Sequence, residues 1–305
     1  MGKSYQLIII GSGPAGITAA IYAIRKGLTT LLIGKEVGGQ VLKTGEIENY
    51  PGLLRATGFD LGQSFKKHLE QYPDIAKITN KAVKKIKKNK KGFTVEIEDG
   101  EVFNAPLVII ASGRNPRKLN VPGEIEFRNK GLAYCEICDA PLFRNKTVAV
   151  VGSGNSGLET ALTLAKICPK VYVIEFFDKI GGDQILQNKI TQANNIEIIT
   201  KAKTLEILGD KFVSGLKYLN LKNKKEEILK IEGVFIQIGW EPAVEFDTLT
   251  KKNKRNEIMI NCQCETSVPG IFAAGDCTNS GFYQIIVAAG EGAKAALSAF
   301  NFINK

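Results

Sequence analysis

Two glycine turns of identical spacing, Gly11-x-Gly13-x-x-Gly16 and Gly152-x-Gly154-x-x-Gly157, constrain this chain more than any other feature. Each follows a short apolar run, Gln6 to Ile10 or Thr147 to Val151. Each also opens a segment with apolar residues at helical spacing: Ile17, Ala20, Ile21 and Ile24 in the first, Leu158, Ala161, Leu162 and Ala165 in the second. Strand, glycine turn and helix in that order predict a nucleotide-binding unit. The first glycine permits the tight turn, the second lets the backbone approach a pyrophosphate, and the third lets the helix pack on the strand. The helix N-terminus then offers unpaired N–H groups and a positive dipole end to the phosphates. Two such turns predict two dinucleotide sites.

Further runs extend both units. Thr29 to Ile33 reads as a second strand, with Glu36 placed 20 residues after Gly16 to meet a ribose hydroxyl, although Gly34 stands where such an acid often falls. Val171 to Ile174 ends in Glu175, 18 residues after Gly157. A carboxylate there accepts hydrogen bonds from an unmodified ribose and repels a 2′-phosphate, and Phe176, Phe177 and Asp178 follow it with Lys179 the only nearby cation. That pattern predicts NADH rather than NADPH. Val108 to Gly113 and Val234 to Gly239 read as buried strands ending at small residues, both expected to approach a nucleotide. Gly270 to Asp276 ends in an acid suited either to a flavin polyol hydroxyl or to capping a helix. The fold class expected is α/β with doubly wound sheets. Proline-bearing breaks at Arg114-Asn115-Pro116-Arg117 and Trp240-Glu241-Pro242-Ala243 bracket the second turn, so a domain of residues 1–113 plus 245–305 is expected to be interrupted by one of residues 114–244. Two connectors make a relative rotation physically available.

Cys135-x-x-Cys138 ends 14 residues before the second turn and is followed by Asp139. Two thiols so spaced can close a disulfide, and such motifs lower one thiol pKa. Half of a zinc site and a plain pair of core thiols are the competing readings, but no second Cys-x-x-Cys and no His pair completes four ligands, so no metal is expected. The other cysteines, 168, 262, 264 and 277, lack the density of a secreted disulfide framework, and Cys262-x-Cys264 reads as structural. With 305 residues and 44% hydrophobic content, the chain has material for one large domain or two ordinary ones. Leu7 to Ile10 is too short to span a bilayer and the glycines after it break a signal-peptide pattern, so a cytoplasmic protein with no membrane partner is expected.

The net charge of +10 includes Lys84, Lys85, Lys87, Lys88, Lys90 and Lys91. That run precedes the strand-like Gly92 to Ile97, so a solvated hairpin is expected in place of a nucleic-acid grip. A basic surface still steers an acidic protein partner by raising the encounter rate. His68, the only histidine, lies in a basic helix-like stretch and is expected to be solvated.

Taken in order, Gly11-x-Gly13-x-x-Gly16, Gly38-Gly39-Gln40, Glu48-Asn49-Tyr50-Pro51-Gly52, Cys135-x-x-Cys138-Asp139, Gly152-x-Gly154-x-x-Gly157 and Gly275-Asp276 resemble the low-molecular-weight thioredoxin reductase family nearly end to end. Glu175-Phe176, Asp183 to Gln187, Cys264-Glu265-Thr266 and Gly290 to Ala295 look more like the flavoprotein subunit of alkyl hydroperoxide reductase. Thioredoxin reductases proper usually carry a His-Arg-Arg cluster where this chain has Glu-Phe-Phe, so the resemblance too points to NADH. The hydroperoxide reductase flavoprotein normally begins with a tandem thioredoxin-like extension, whereas ten residues precede Gly11 here, so that relay is expected to be filled by a separate protein or not filled at all.

The resemblance implies two Rossmann-like three-layer domains, the NAD(P) domain inserted into the FAD domain. FAD is then expected on Gly11, Ser12, Gly13, Pro14, Ala15, Gly16, Glu36, Gly39, Gln40, Asn49, Gly275, Asp276, Gln284 and Ile285, with the strand end at Gly113 nearby, and the nicotinamide dinucleotide on Gly152, Gly154, Asn155, Ser156 and Glu175. It further implies a homodimer, a thioredoxin- or glutaredoxin-like protein substrate, and electrons passing from NADH through FAD to the cysteine pair. Cys138 would face the flavin, Cys135 would attack the partner disulfide and Asp139 would exchange the proton. The alternatives are an NADPH-dependent thioredoxin reductase, an electron donor to a hydroperoxide reductase, a flavin-dependent NADH oxidase, and a non-enzymatic nucleic-acid or redox-sensing module on the basic face.

Overall fold

The computed structural model describes residues 3–305, apart from the side chains of Ile137 and Cys138. The chain forms two compact units, one of residues 1–115 with 241–305 and one of residues 116–240. Residues 241–244 are held in the first unit: the Ala243 N–H donates to the Gly113 carbonyl at 3.0 Å and Val244 is buried in that unit's core.

A five-stranded parallel sheet forms the centre of the first unit. Its strands lie in the order Ile271–Ala273, Leu107–Ile110, Leu7–Ile10, Thr30–Gly34 and Ala76–Thr79. The apolar runs alternate across it. Leu7, Ile9, Leu32, Leu107 and Ile109 face the helices Pro14–Arg25 and Ile285–Ile303, while Ile8, Ile10, Leu31, Ile33, Val108 and Ile110 face an antiparallel layer through Ile86, Phe93, Val95 and Ile97. Runs that are apolar at every position therefore form strands here because both faces are covered. The expected lysine hairpin is present as Val83–Asn89 paired with Gly92–Ile97, and its lysine strand lies at the sheet edge. Unpaired edge groups are a template for aggregation, and a row of lysines blocks that pairing. Lys84 and Lys87 also reach Glu96, at 3.3 and 3.8 Å. His68 is exposed on the helix Gly58–Glu70.

The second unit repeats the plan. Its parallel sheet runs Leu132–Ala133, Gly233–Ile236, Thr147–Val151, Lys170–Ile174 and Ile196–Ile199. Val148, Val150, Val171 and Val173 pack with Leu158, Ala161, Leu164 and Ile190 of the helices Asn155–Ala165 and Gln184–Gln192. Ala149, Val151 and Ile174 pack on the other side with Ile207, Leu216 and Tyr218 of a three-stranded antiparallel sheet. Both units are thus three layers, helix on parallel sheet on a wholly or largely antiparallel sheet.

Helix–helix contact in the first unit depends on a small residue in the C-terminal helix. A Cβ placed on Gly292 would lie 2.1 Å from the Ala15 carbonyl oxygen. Gly292→Ala is expected to force the two helices apart and to lower stability by about 1–3 kcal/mol, read from urea unfolding; an unchanged midpoint would contradict this packing.

Candidate functional site

The first glycine turn leaves the carboxyl end of the central strand, where doubly wound folds place their ligands. Gly11 has φ +113°, and a Cβ there would sit 2.0 Å from the Ala111 carbonyl oxygen. A Cβ on Gly16 would sit 1.7 Å from the Gly11 carbonyl oxygen. Helix Pro14–Arg25 begins on Gly13 with no side-chain cap, which leaves its first N–H groups available to an anion. Ser12 donates its hydroxyl to the Glu36 carbonyl oxygen at 2.8 Å and so ties the loop after the second strand to the turn.

Around this turn opens a cavity of about 640 Å³, of the size that takes a cofactor. Gly11, Ser12, Gly13, Pro14, Ala15, Glu36, Gly39, Gln40, Gly113, Gly275, Asp276, Gln284 and Ile285 all line it. Gly16 lies in the helix beneath, and Asn49 donates from its side-chain nitrogen to the Gln284 side-chain oxygen at 3.1 Å. Ile285 is the first residue of the C-terminal helix, whose N-cap is Gln284. Asp276 therefore caps no helix. Burial pushes its carboxyl up to about 6, with nearby Arg114 acting against that rise and Glu291 adding to it.

Three buried polar features test whether this cavity fits a dinucleotide. The Ser112 hydroxyl and the Arg114 Nε lack hydrogen-bond partners, and both residues line the cavity. Asp276 adds a carboxylate that burial makes costly to leave without a donor. Uncapped helix N–H groups for a pyrophosphate, an acid for hydroxyl groups and unpaired polar atoms in one cavity fit FAD.

Some of this site carried no sequence signal. Arg114 pairs with Glu257 at 3.0 Å across 143 residues of chain, and its guanidinium carbon lies 3.9 Å from the centre of the Tyr283 ring. Tyr283 donates its hydroxyl to Glu257, and Asn253 donates to the other Glu257 oxygen at 2.7 Å. Burial opposes the charged form of Glu257, but the bonds from Tyr283 and Asn253 and the Arg114 charge outweigh it and hold the carboxyl below its ordinary value. Glu291, from the C-terminal helix, accepts the Gly275 N–H at 2.7 Å and so fixes the loop that carries Asp276. No periodicity or motif links these positions; Arg114 lies within a segment that reads as a connector.

The second glycine turn copies the first. Gly152 has φ +104° and its Cβ would meet the Gln237 carbonyl oxygen at 2.3 Å, while a Cβ on Gly157 would meet the Gly152 carbonyl oxygen at 2.1 Å. Gly154 begins the helix Asn155–Ala165 without a side-chain cap and has open space where a Cβ would stand. Ser156 lies in the first turn of that helix. Asn155 exchanges hydrogen bonds with Asp183, accepting its N–H at 2.8 Å and donating to its carboxylate at 2.9 Å. Glu175 is 8% exposed and its carboxylate is engaged. One oxygen accepts the Ser153 N–H at 3.0 Å and the Ser153 hydroxyl, and the other accepts the Phe177 N–H at 2.9 Å. With room for roughly four hydrogen bonds on a carboxylate, Glu175 here clasps its own turn.

Cys135 is held in a disulfide, and its carbonyl accepts the Asp139 N–H at 3.1 Å to start the short helix Glu136–Asp139. The Cys138 side chain lies outside the described residues. Asp139 lines a second cavity, of about 470 Å³, with Lys146, Glu232 and Phe212. Cys168, Cys264 and Cys277 are free and buried, and burial raises all three thiols, Cys264 to about 12 and Cys277 to about 11. Cys262 is free and exposed. Among the described residues, no three His, Cys, Asp or Glu side chains gather as a metal site, and no helix is long and apolar enough to cross a membrane.

A doubled nucleotide fold joined to a cysteine disulfide defines a class of electron-transferring flavoproteins. Residues 5–292 match the pyridine nucleotide-disulphide oxidoreductase family, and the chain belongs to it. That family depends on FAD and a pyridine nucleotide. The chain is 42% identical over 302 residues to a Bacillus subtilis protein named NADH dehydrogenase, and 43% identical to the F component of alkyl hydroperoxide reductase from Staphylococcus aureus. Both matches take in 99% of this chain and 59% of the relative, so the chain spans 59% of the length of the curated relatives it matches. Lactococcus lactis thioredoxin reductase superposes with a TM-score of 0.85 at 36% identity, over 98% of this chain and 99% of that one.

Asp276 generates a measurable pH dependence. Its carboxyl releases a proton near 3.8 when unfolded and near 6 when folded. Within that window the folded ligand-free protein still holds a proton that the unfolded chain has lost, so stability falls as pH rises and stays lower above pH 6. Asp276→Asn is expected to stabilise the ligand-free protein by on the order of 1–3 kcal/mol above that window, with the two proteins converging in acid. Urea unfolding at several pH values checks this, and a variant weaker at every pH would contradict it.

Proposed function

We propose that this chain passes electrons from NADH through FAD and the Cys135/Cys138 pair to the disulfide of a thioredoxin- or glutaredoxin-like protein, acting in the cytoplasm as a homodimer. The disulfide at Cys135, in the same unit as the second glycine turn, is the observation that carries this reading. The first unit would form the FAD domain and the second the nicotinamide domain. Bound FAD would supply two-electron transfer between a nicotinamide and a disulfide.

The chain's own residues do the rest. The N-terminus of helix Pro14–Arg25 would hold the FAD pyrophosphate, Glu36 its ribose and Asp276 its polyol chain. Gly152, Gly154, Asn155 and Ser156 would hold the nicotinamide dinucleotide, with Glu175 setting the preference at the 2′ position. Cys138 would face the flavin. Cys135 would attack the partner disulfide, and Asp139 would give or take the proton of the leaving thiolate.

The buried carboxylate of Glu175 favours NADH, since a 2′-phosphate would bring a second negative charge beside it. Anaerobic titration is expected to bleach the flavin with NADH at least about tenfold more tightly than with NADPH; bleaching by NADPH alone would overturn the preference. For the thiol route, Cys138→Ser is expected to abolish NADH-driven disulfide reduction and to leave Cys135 able to trap the partner as a stable mixed disulfide, identified by mass. Full reduction activity in that variant would refute the route. The Bacillus subtilis relative is named for NADH oxidation and not for a disulfide acceptor; in a second reading the flavin would hand its electrons to oxygen. Oxygen consumption that survives Cys138→Ser would select it.

A further inference from the structure

Glu124 is a carboxylate with 2% exposure in the second unit. Its Oε1 accepts the Leu119 N–H at 2.8 Å and the Tyr134 hydroxyl at 2.6 Å, and its Oε2 accepts the Asn120 N–H at 2.6 Å. Tyr134 immediately precedes Cys135. Its carbonyl oxygen accepts from the Gln237 side chain at 3.2 Å, and Arg128 lies 5.7 Å from its ring centre. The residue before the disulfide is thus gripped at both ends. Its phenol is tied to a carboxylate, and its carbonyl is tied to the strand-end residue that also backs Gly152. Burial, then Glu124, raises the Tyr134 phenol pKa, which keeps it a hydrogen-bond donor across the accessible range.

We propose that Glu124 and Tyr134 form a latch that holds Cys135 in its disulfide-bonded position and thereby favours the oxidised over the reduced pair. A disulfide forms only within a narrow range of separations and angles, so fixing the backbone beside one sulfur raises the effective concentration of the other. The dithiol gains no such benefit from the grip. Glu124 and Tyr134 are positioning residues: neither touches the sulfur exchange itself. The latch also ties the segment entered from the first domain connector, through the Leu119 and Asn120 N–H groups, to the redox segment.

This inference rests on the redox reading of the cysteine pair, and its test is independent of flavin turnover. The holoprotein is equilibrated anaerobically in glutathione buffers without NADH, quenched in acid, and its Cys135 thiol quantified by alkylation and mass. In that equilibrium the protein S–S bond breaks, two protons and two electrons arrive from two glutathione thiols, and one glutathione disulfide forms. Removing the phenol–carboxylate grip is expected to shift the exchange constant toward the dithiol by about three- to tenfold in Tyr134→Phe. Glu124→Gln is expected to shift it the same way, and the double variant to shift it by less than the product of the two. Tyr218→Phe is the control, since Tyr218 also donates its hydroxyl to a carboxylate, but to Glu227 on the antiparallel sheet of the same unit and not to Glu124; it is expected to leave the constant unchanged. An unchanged constant in Tyr134→Phe, a shift toward the disulfide, or an equal shift in Tyr218→Phe would overturn the latch. A cysteine that never exchanges in the wild-type protein would instead overturn the redox reading.

Discussion

The structure depends on the close approach of backbone to backbone at the start of two helices. At Gly11 and Gly152 the chain turns with positive φ so near a neighbouring strand end that a single Cβ would overlap a carbonyl oxygen. At Gly16 and Gly157 the helix lies directly on that turn. Since any side chain would push helix from strand, these contacts fix the helix N-termini at the carboxyl edge of each sheet. Uncapped N–H groups are then presented to the place where a pyrophosphate would lie.

Around the first of these turns the protein keeps polar groups that gain nothing from burial by themselves. The Arg114 guanidinium, clasped by Glu257 and stacked on Tyr283, retains an unpaired Nε, and the Ser112 hydroxyl is also without a partner. Asp276 sits near them with its carboxyl pushed up by burial. Each raises the free energy of the ligand-free state. A binding partner with hydroxyl groups and negative charge relieves all three together.

The sequence was legible where chemistry is local. Glycine spacing and apolar runs marked the central strands of both parallel sheets and the helix after each glycine turn, because runs buried on both faces leave little choice of conformation, but not the short strands Ala76–Thr79, Leu132–Ala133 and Ile196–Ile199. It also marked Glu36, which lines the first cavity. A Cβ on Gly34 would lie 2.1 Å from the Ser12 hydroxyl oxygen, so a side chain does not fit at that position. The network of Arg114, Glu257 and Tyr283 was illegible because it joins loops far apart in the chain. So was the engagement of Glu175: its position after the strand is readable, but its hydrogen bonds to Ser153 and Phe177 follow from how two loops fold together.

The account stands or falls on whether the first unit holds a flavin. The direct measurement is stoichiometry: purified protein is incubated with FAD, desalted, and its retained chromophore measured by visible absorbance against protein concentration. About one tightly held FAD per chain is expected, with a loss of affinity in Asp276→Asn. Colourless protein after desalting would contradict the central claim.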